Sequence, residues 1–207
     1  MAANNLYKIK VLMPADYQTW FEKIKNFLEE YSKTCPQAQL KNYQTEDWEK
    51  SQSSLLKVMY LEKRFDKGIV TIAVDSQQNV IAFAGSYEIN SDIVYLAARA
   101  CVLPAYESDH IISTYLIPYQ QKYFYNKYLF GCVSFNTDDY SRRVMEAFSK
   151  RDKWTAGKVL RHNGIQYYPF HFIKDQTFFL NNCQQLVAYC AFSAVQSREG
   201  FVSKFRQ

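Results

Sequence analysis

The chain has 207 residues, 48% of them hydrophobic and 22% charged, with a formal net charge of +5. Those values suit a globular domain with its own core and exclude a disordered chain. The basic excess is spread along the sequence, whereas nucleic-acid binders concentrate theirs in patches, so a nucleic-acid partner is not expected.

The first predicted element is a short strand, Leu6 to Leu12, anchored by Leu6 and Ile9. Pro14 and Asp16 open a helix whose apolar stripe is Tyr17, Trp20, Phe21, Ile24, Phe27, Leu28 and Tyr31. Cys35-Pro36 ends it. Thr45, followed by two acids, starts a second helix that runs to about Phe65.

The period then changes. Gly68 to Val74, Val80 to Ile89 and Ile93 to Leu103 read as three antiparallel strands. The polar turns Asp75 to Asn79 and Asn90 to Asp92 separate them. The third strand is the most apolar and should be central. After Pro104 the chain turns helical, with Ile111, Ile112, Tyr115, Leu116 and Tyr119 on one face and Pro118 expected to kink it. Leu129 to Phe135 follows that crossover, so it should run parallel to the strand ending at Leu103. Thr137 caps a further helix. Asn163-Gly164 joins Lys158 to His162 and Ile165 to Phe172 in a hairpin, where Pro169 guards an edge that could otherwise pair with a second copy as a homodimer. The tail, Thr177 to Phe192, reads as a strand and a short helix.

Much chemistry is excluded. No G-x-x-x-x-G-K-S/T, G-x-S-x-G or H-E-x-x-H occurs. The three histidines are dispersed, so no metal site is expected. Five cysteines, an odd number without C-x-x-C spacing, imply free thiols in a reducing, cytoplasmic compartment. Met1 to Lys10 has no apolar leader, and no apolar run reaches the roughly 18 residues of a membrane span, so no membrane partner is expected. The cluster Arg142, Arg143, Lys150, Arg151 and Lys153 reads as a solvated helix face that could also meet an anion. The 17 Tyr and 15 Phe follow from AT-rich codon usage more simply than from a base-stacking surface.

One constellation carries chemistry. Arg99 to Ser113 takes a central strand through Val102-x-Pro104-x-Tyr106 into a polar turn and a helix start. A helix start reached straight from a strand offers backbone N–H groups and a positive dipole end to an anion.

Here the sequence resembles the GNAT superfamily of N-acetyltransferases, whose central motif reads V-x-P-x-Y-R-x-x-G-x-G/A. Val102, Pro104 and Tyr106 match; Glu107 replaces the basic residue, and His110 and Ile112 replace the two small ones. Phe135-Asn136 before a helix resembles the family's strand-then-Asn element. The likeness covers roughly Gly68 to Phe172 and suggests diverged viral or phage-like members.

The resemblance implies one α/β (mixed α+β) domain over 1–207: strand and helices in 1–66, the core sheet in 67–175 and an extension in 176–207. Its sheet would be mixed and mostly antiparallel, with helices on both faces. It implies transfer of an acetyl group from acetyl-CoA to a small-molecule or protein amine by direct attack. The cofactor-binding positions would be Cys101, Val102 and Leu103 along the pantetheine arm, and Ser108, Asp109, His110, Ile111, Ile112 and Ser113 at the pyrophosphate. Asn136 would help hold the pantetheine arm. No catalytic acid or base is assigned; Glu88 is a candidate base only because it is acidic and near the sheet, and it reads more simply as a solvated strand residue. The substitutions in the motif leave a second reading open, a GNAT-like scaffold without CoA binding that serves as a protein-interaction module.

Overall fold

The structure is a computed structural model, and it describes residues 7–34, 64–89, 91–135, 154–156, 160–162 and 165–172. These form two compact units, one within Met1–Glu88 and Leu96–Tyr125, the other within Ile89–Tyr95 and Asn126–Gln207. The predicted helix from Thr45, the helix after Thr137 and the tail from Thr177 lie outside the described residues.

The first unit begins with strand β1, Tyr7–Leu12. A single turn at Pro14–Asp16 then starts helix α1, Tyr17–Thr34. The Asp16 carboxylate accepts the Met13 N–H at 2.9 Å, so the acid closes the helix entry as its position suggested. Tyr17, Ile24, Phe27 and Leu28 bury the apolar stripe. Trp20 lies half-exposed between Lys10 and Lys23, each ammonium 5.2 Å from the ring centre.

Strands β2, Gly68–Asp75, and β3, Val80–Glu88, are buried along nearly their whole length. Burial on both faces explains their continuous apolar, β-branched sequence. β1 pairs β2 and β2 pairs β3, both antiparallel. Gly68 lies where β3 comes closest: a Cβ there would stand 1.9 Å from the Ser86 carbonyl oxygen.

The turn between β2 and β3 is built on Asp75. Its Oδ1 accepts the N–H of Gln77 at 2.9 Å and of Asn79 at 2.8 Å; its Oδ2 accepts the Asn79 side-chain amide at 3.0 Å. Gln78 takes the left-handed conformation at φ 64°, and Lys23 of α1 donates to its carbonyl at 2.9 Å. Burial would raise the Asp75 carboxyl, but the bonds from Asn79 and Gln77 and the Lys23 charge outweigh it and hold it below the ordinary 3.8. A depressed folded-state value means stability that is present above 3.8 and lost as pH falls through the folded value. Melting temperatures of the wild type and of Asp75→Asn should therefore differ at neutral pH and converge on acidification below that point. A gap that stays constant down to the acid transition would contradict this.

Strand β4, Ile93–Val102, passes from the second unit into the first. A 3-10 turn, Pro104–Asp109, a π turn, Ile112–Leu116, and helix α2, Ile117–Tyr123, follow it. Pro118 falls in the first turn of α2, and the Ile117 N–H reaches five residues back to Ile112. The expected disturbance thus appears as a π turn just before the proline, where a wider turn accommodates a residue that has no N–H to give. Buried Gln120 of α2 donates 2.9 Å bonds to the Thr71 hydroxyl and the Ala84 carbonyl, tying the helix to β2 and β3. Left unpaired, those buried groups would cost about 1–3 kcal/mol.

In the second unit β4 pairs β5, Tyr128–Phe135, in parallel through Ile93↔Tyr128, Val94↔Leu129 and Tyr95↔Phe130, as the helical crossover required. β5 pairs antiparallel with β8, Ile165–Phe172, whose other side carries β6, Trp154–Ala156, and β7, Leu160–His162. The predicted hairpin forms with His162 opposite Ile165. One expectation is corrected. Pro169 does not guard an edge, because β8 is flanked on both sides. It lies opposite Cys132 of β5 and, on the other side of β8, between the stretches paired by β6 and by β7.

Candidate functional site

The stretch singled out in the sequence lies in the first unit, at the end of β4. The Leu103 N–H donates to the Ile81 carbonyl of β3 at 2.9 Å. Successive N–H groups of an extended strand point to opposite edges, so the Val102 N–H, one residue earlier, faces away from β3. Cys101 and Leu103 are buried and Val102 is half-buried. The strand end therefore presents one backbone edge while its flanking side chains anchor it in the core.

The helix start differs from the expectation. The chain does not pass straight from strand to helix, because the 3-10 turn intervenes and uses amides within itself. The Tyr106 N–H bonds the Leu103 carbonyl at 2.9 Å and the His110 N–H bonds the Glu107 carbonyl at 3.2 Å. His110 closes the turn at φ 52°, ψ 33°, the left-handed conformation for which glycine is the ordinary choice. The backbone shape that a small residue would give is kept, but an exposed imidazole is carried on it. The His110 carbonyl then accepts the Thr114 N–H at 2.9 Å and the Ser113 hydroxyl at 3.2 Å.

Ser108 and Asp109 are exposed, Ile111 is fully buried, and Ile112 and Ser113 are half-buried. Ile111 thus serves the core through its side chain and can offer a ligand only its backbone. Asn136 lies outside the described residues. Glu88 is not brought to the strand end. It closes β3 seven positions beyond Ile81, about 20 Å away at the rise of a strand.

Two features were missed in the sequence. Tyr7 of β1 and Tyr115 of the π turn meet edge to face, ring centres 6.0 Å apart at 72°. Burial, then the nearness of Tyr115 and of the Asp109 carboxylate, and a hydrogen bond with Tyr115 raise the Tyr7 phenol above its ordinary value. This contact pins the turn to β1. A cavity of about 490 Å³ also opens beside Leu103, Pro104 and Tyr106. Its rim carries Glu30 of α1 and Asp75 of the β2–β3 turn. Among the described residues, no group of three His, Cys, Asp or Glu side chains could hold a metal ion. No described helix is long and apolar enough to cross a membrane.

No protein-family model matches the chain, and no curated protein matches it. Solved structures do. A GNAT-family protein from Desulfovibrio desulfuricans superposes with a TM-score of 0.54 at 12% identity, over 80% of this chain and 98% of that one. A GNAT-family acetyltransferase from Staphylococcus aureus Mu50 gives 0.51 at 12% identity, over 79% and 99%. A spermidine N-acetyltransferase chimera from Vibrio cholerae SpeG and hSSAT gives 0.52 at 14% identity, over 86% and 99%. The chain therefore has the mixed α+β fold of the GNAT acetyltransferases, with a mostly antiparallel sheet.

Proposed function

We propose that this protein is an N-acyltransferase that takes an acetyl group from an acetyl thioester, acetyl-CoA in the first instance, and passes it to an amine. The observation that carries the reading is the end of β4. Within a GNAT fold, Val102-x-Pro104-x-Tyr106 leaves the strand with the Leu103 N–H held by β3 and the Val102 N–H on the opposite edge. That edge suits the amide-bearing arm of a pantetheine thioester, which pairs with a strand backbone as another strand would.

The chemistry needs little more from the protein. The amine lone pair attacks the thioester carbonyl, and negative charge develops on its oxygen. A backbone N–H at Val102 stabilises that oxyanion. As the C–N bond forms, the C–S bond breaks; the thiolate leaves and takes up the proton that the amine gives away. The acceptor is a small-molecule or protein amine, and spermidine, acted on by one protein of similar fold, belongs in the first screen.

Amide exchange tests the placement. Saturating acetyl-CoA should slow exchange at Val102 while leaving Leu103, already bonded to Ile81, nearly unchanged. Binding without protection at Val102 would remove the strand end from the site. Failure of any thioester to bind would favour the interaction-module reading, for which the substitutions at Glu107, His110 and Ile112 speak.

A further inference from the structure

The end of β4 suits a pantetheine arm, but the turn that follows is a poor seat for a nucleotide diphosphate. Three observations agree. First, part of its amide supply is used up: those of Tyr106 and His110 close the 3-10 turn, Pro104 has none, and the Thr114 N–H closes the helix onto His110. Second, the charge has the wrong sign. From Leu103 to Gln121 the sequence holds no Lys or Arg, and its formal charges are Glu107 and Asp109. The adjoining cavity adds Glu30, and Asp75 with its charge partly offset by Lys23. Third, side chains occupy the approach. His110 is exposed on a left-handed residue where only a bare backbone would let a phosphate come close, and Ile112 stands half-buried two residues on. A dianionic diphosphate brought here would meet like charge, side chains in place of bare backbone, and fewer amides than the turn's length would offer.

We propose that this protein recognises its acyl donor through the pantetheine arm at the end of β4, and that the nucleotide diphosphate of CoA adds little to binding. The donor class is then a pantetheine thioester in general, with acetyl-CoA as one member. This rests on the acyltransferase reading above, and the two can fail separately.

The test is calorimetric titration of the full chain with CoA, 4′-phosphopantetheine and pantetheine. The expected dissociation constants fall within about tenfold of one another. CoA binding tighter than pantetheine by more than that factor would overturn the proposal and leave the acyltransferase reading standing. Absence of binding by all three would remove both. A second arm uses the doubly neutralised variant, Glu107→Gln with Asp109→Asn, its fold checked by melting temperature. Its affinity for CoA should rise severalfold while that for pantetheine stays the same. Equal changes for both ligands, or weaker CoA binding, would show that these acids do not repel the nucleotide and would overturn the proposal.

Discussion

Gly68→Ala is expected to lower the melting temperature by roughly 6–12 °C, the shift that about 3 kcal/mol produces in a chain of this size. The reason is backbone against backbone. The new methyl carbon would lie 1.9 Å from the Ser86 carbonyl oxygen and 2.8 Å from the Tyr87 Cα. Neither is the far end of a flexible side chain. Relief requires β2 and β3 to part where Gly68 opposes Tyr87 and Ile69 opposes Ser86, and the Ser86 hydroxyl bond to the Ile69 carbonyl goes with them. Overpacking a core usually costs about 1–3 kcal/mol, and a clash with fixed backbone belongs at the top of that range or beyond. Differential scanning calorimetry measures the shift. A variant that melts with the wild type would mean that β2 and β3 do not approach this closely.

The second large effect falls on activity. Val102→Pro should reduce acetyl transfer by about 10²–10³, the ordinary consequence of losing one oxyanion donor. The substitution removes the N–H on the edge away from β3 and spares the Leu103 bond to Ile81. It also asks Cys101 only for the extended conformation that β4 already has. Its melting temperature should therefore stay close to that of the wild type. Val102→Ala, which keeps the N–H, should retain most of the rate. Comparable losses in the two variants would point to the side chain instead and remove the backbone from the mechanism.

Much of the fold was legible because burial leaves a pattern. β2 and β3 announce themselves through β-branched runs, and the turn between them through Asp75 and Asn79, whose side chains bond the turn's own backbone. The hairpin of β7 and β8 follows from Asn163-Gly164, and the parallel pairing of β4 with β5 from the helix between them. What was not legible depends on neighbours distant in sequence or on unusual backbone. Gln120 reads as a solvated helical glutamine, and only its placement against Thr71 and Ala84 makes it a buried tie. β6, with three residues, is too short to establish a period. The left-handed turn at residue 110 would have been signalled by glycine, and histidine concealed it. The motif placed the candidate site at the end of β4 but gave no sign that a 3-10 turn would use amides offered to the ligand.

The most direct test is to incubate the purified chain with acetyl-CoA and a panel of amines that includes spermidine, following free thiol release and acetylated product together. The two should appear in equal amounts with at least one amine, and both should fall sharply in Val102→Pro. Neither product nor thiol with any amine would contradict the acyltransferase reading, as would turnover that Val102→Pro leaves intact for the role assigned to the strand end.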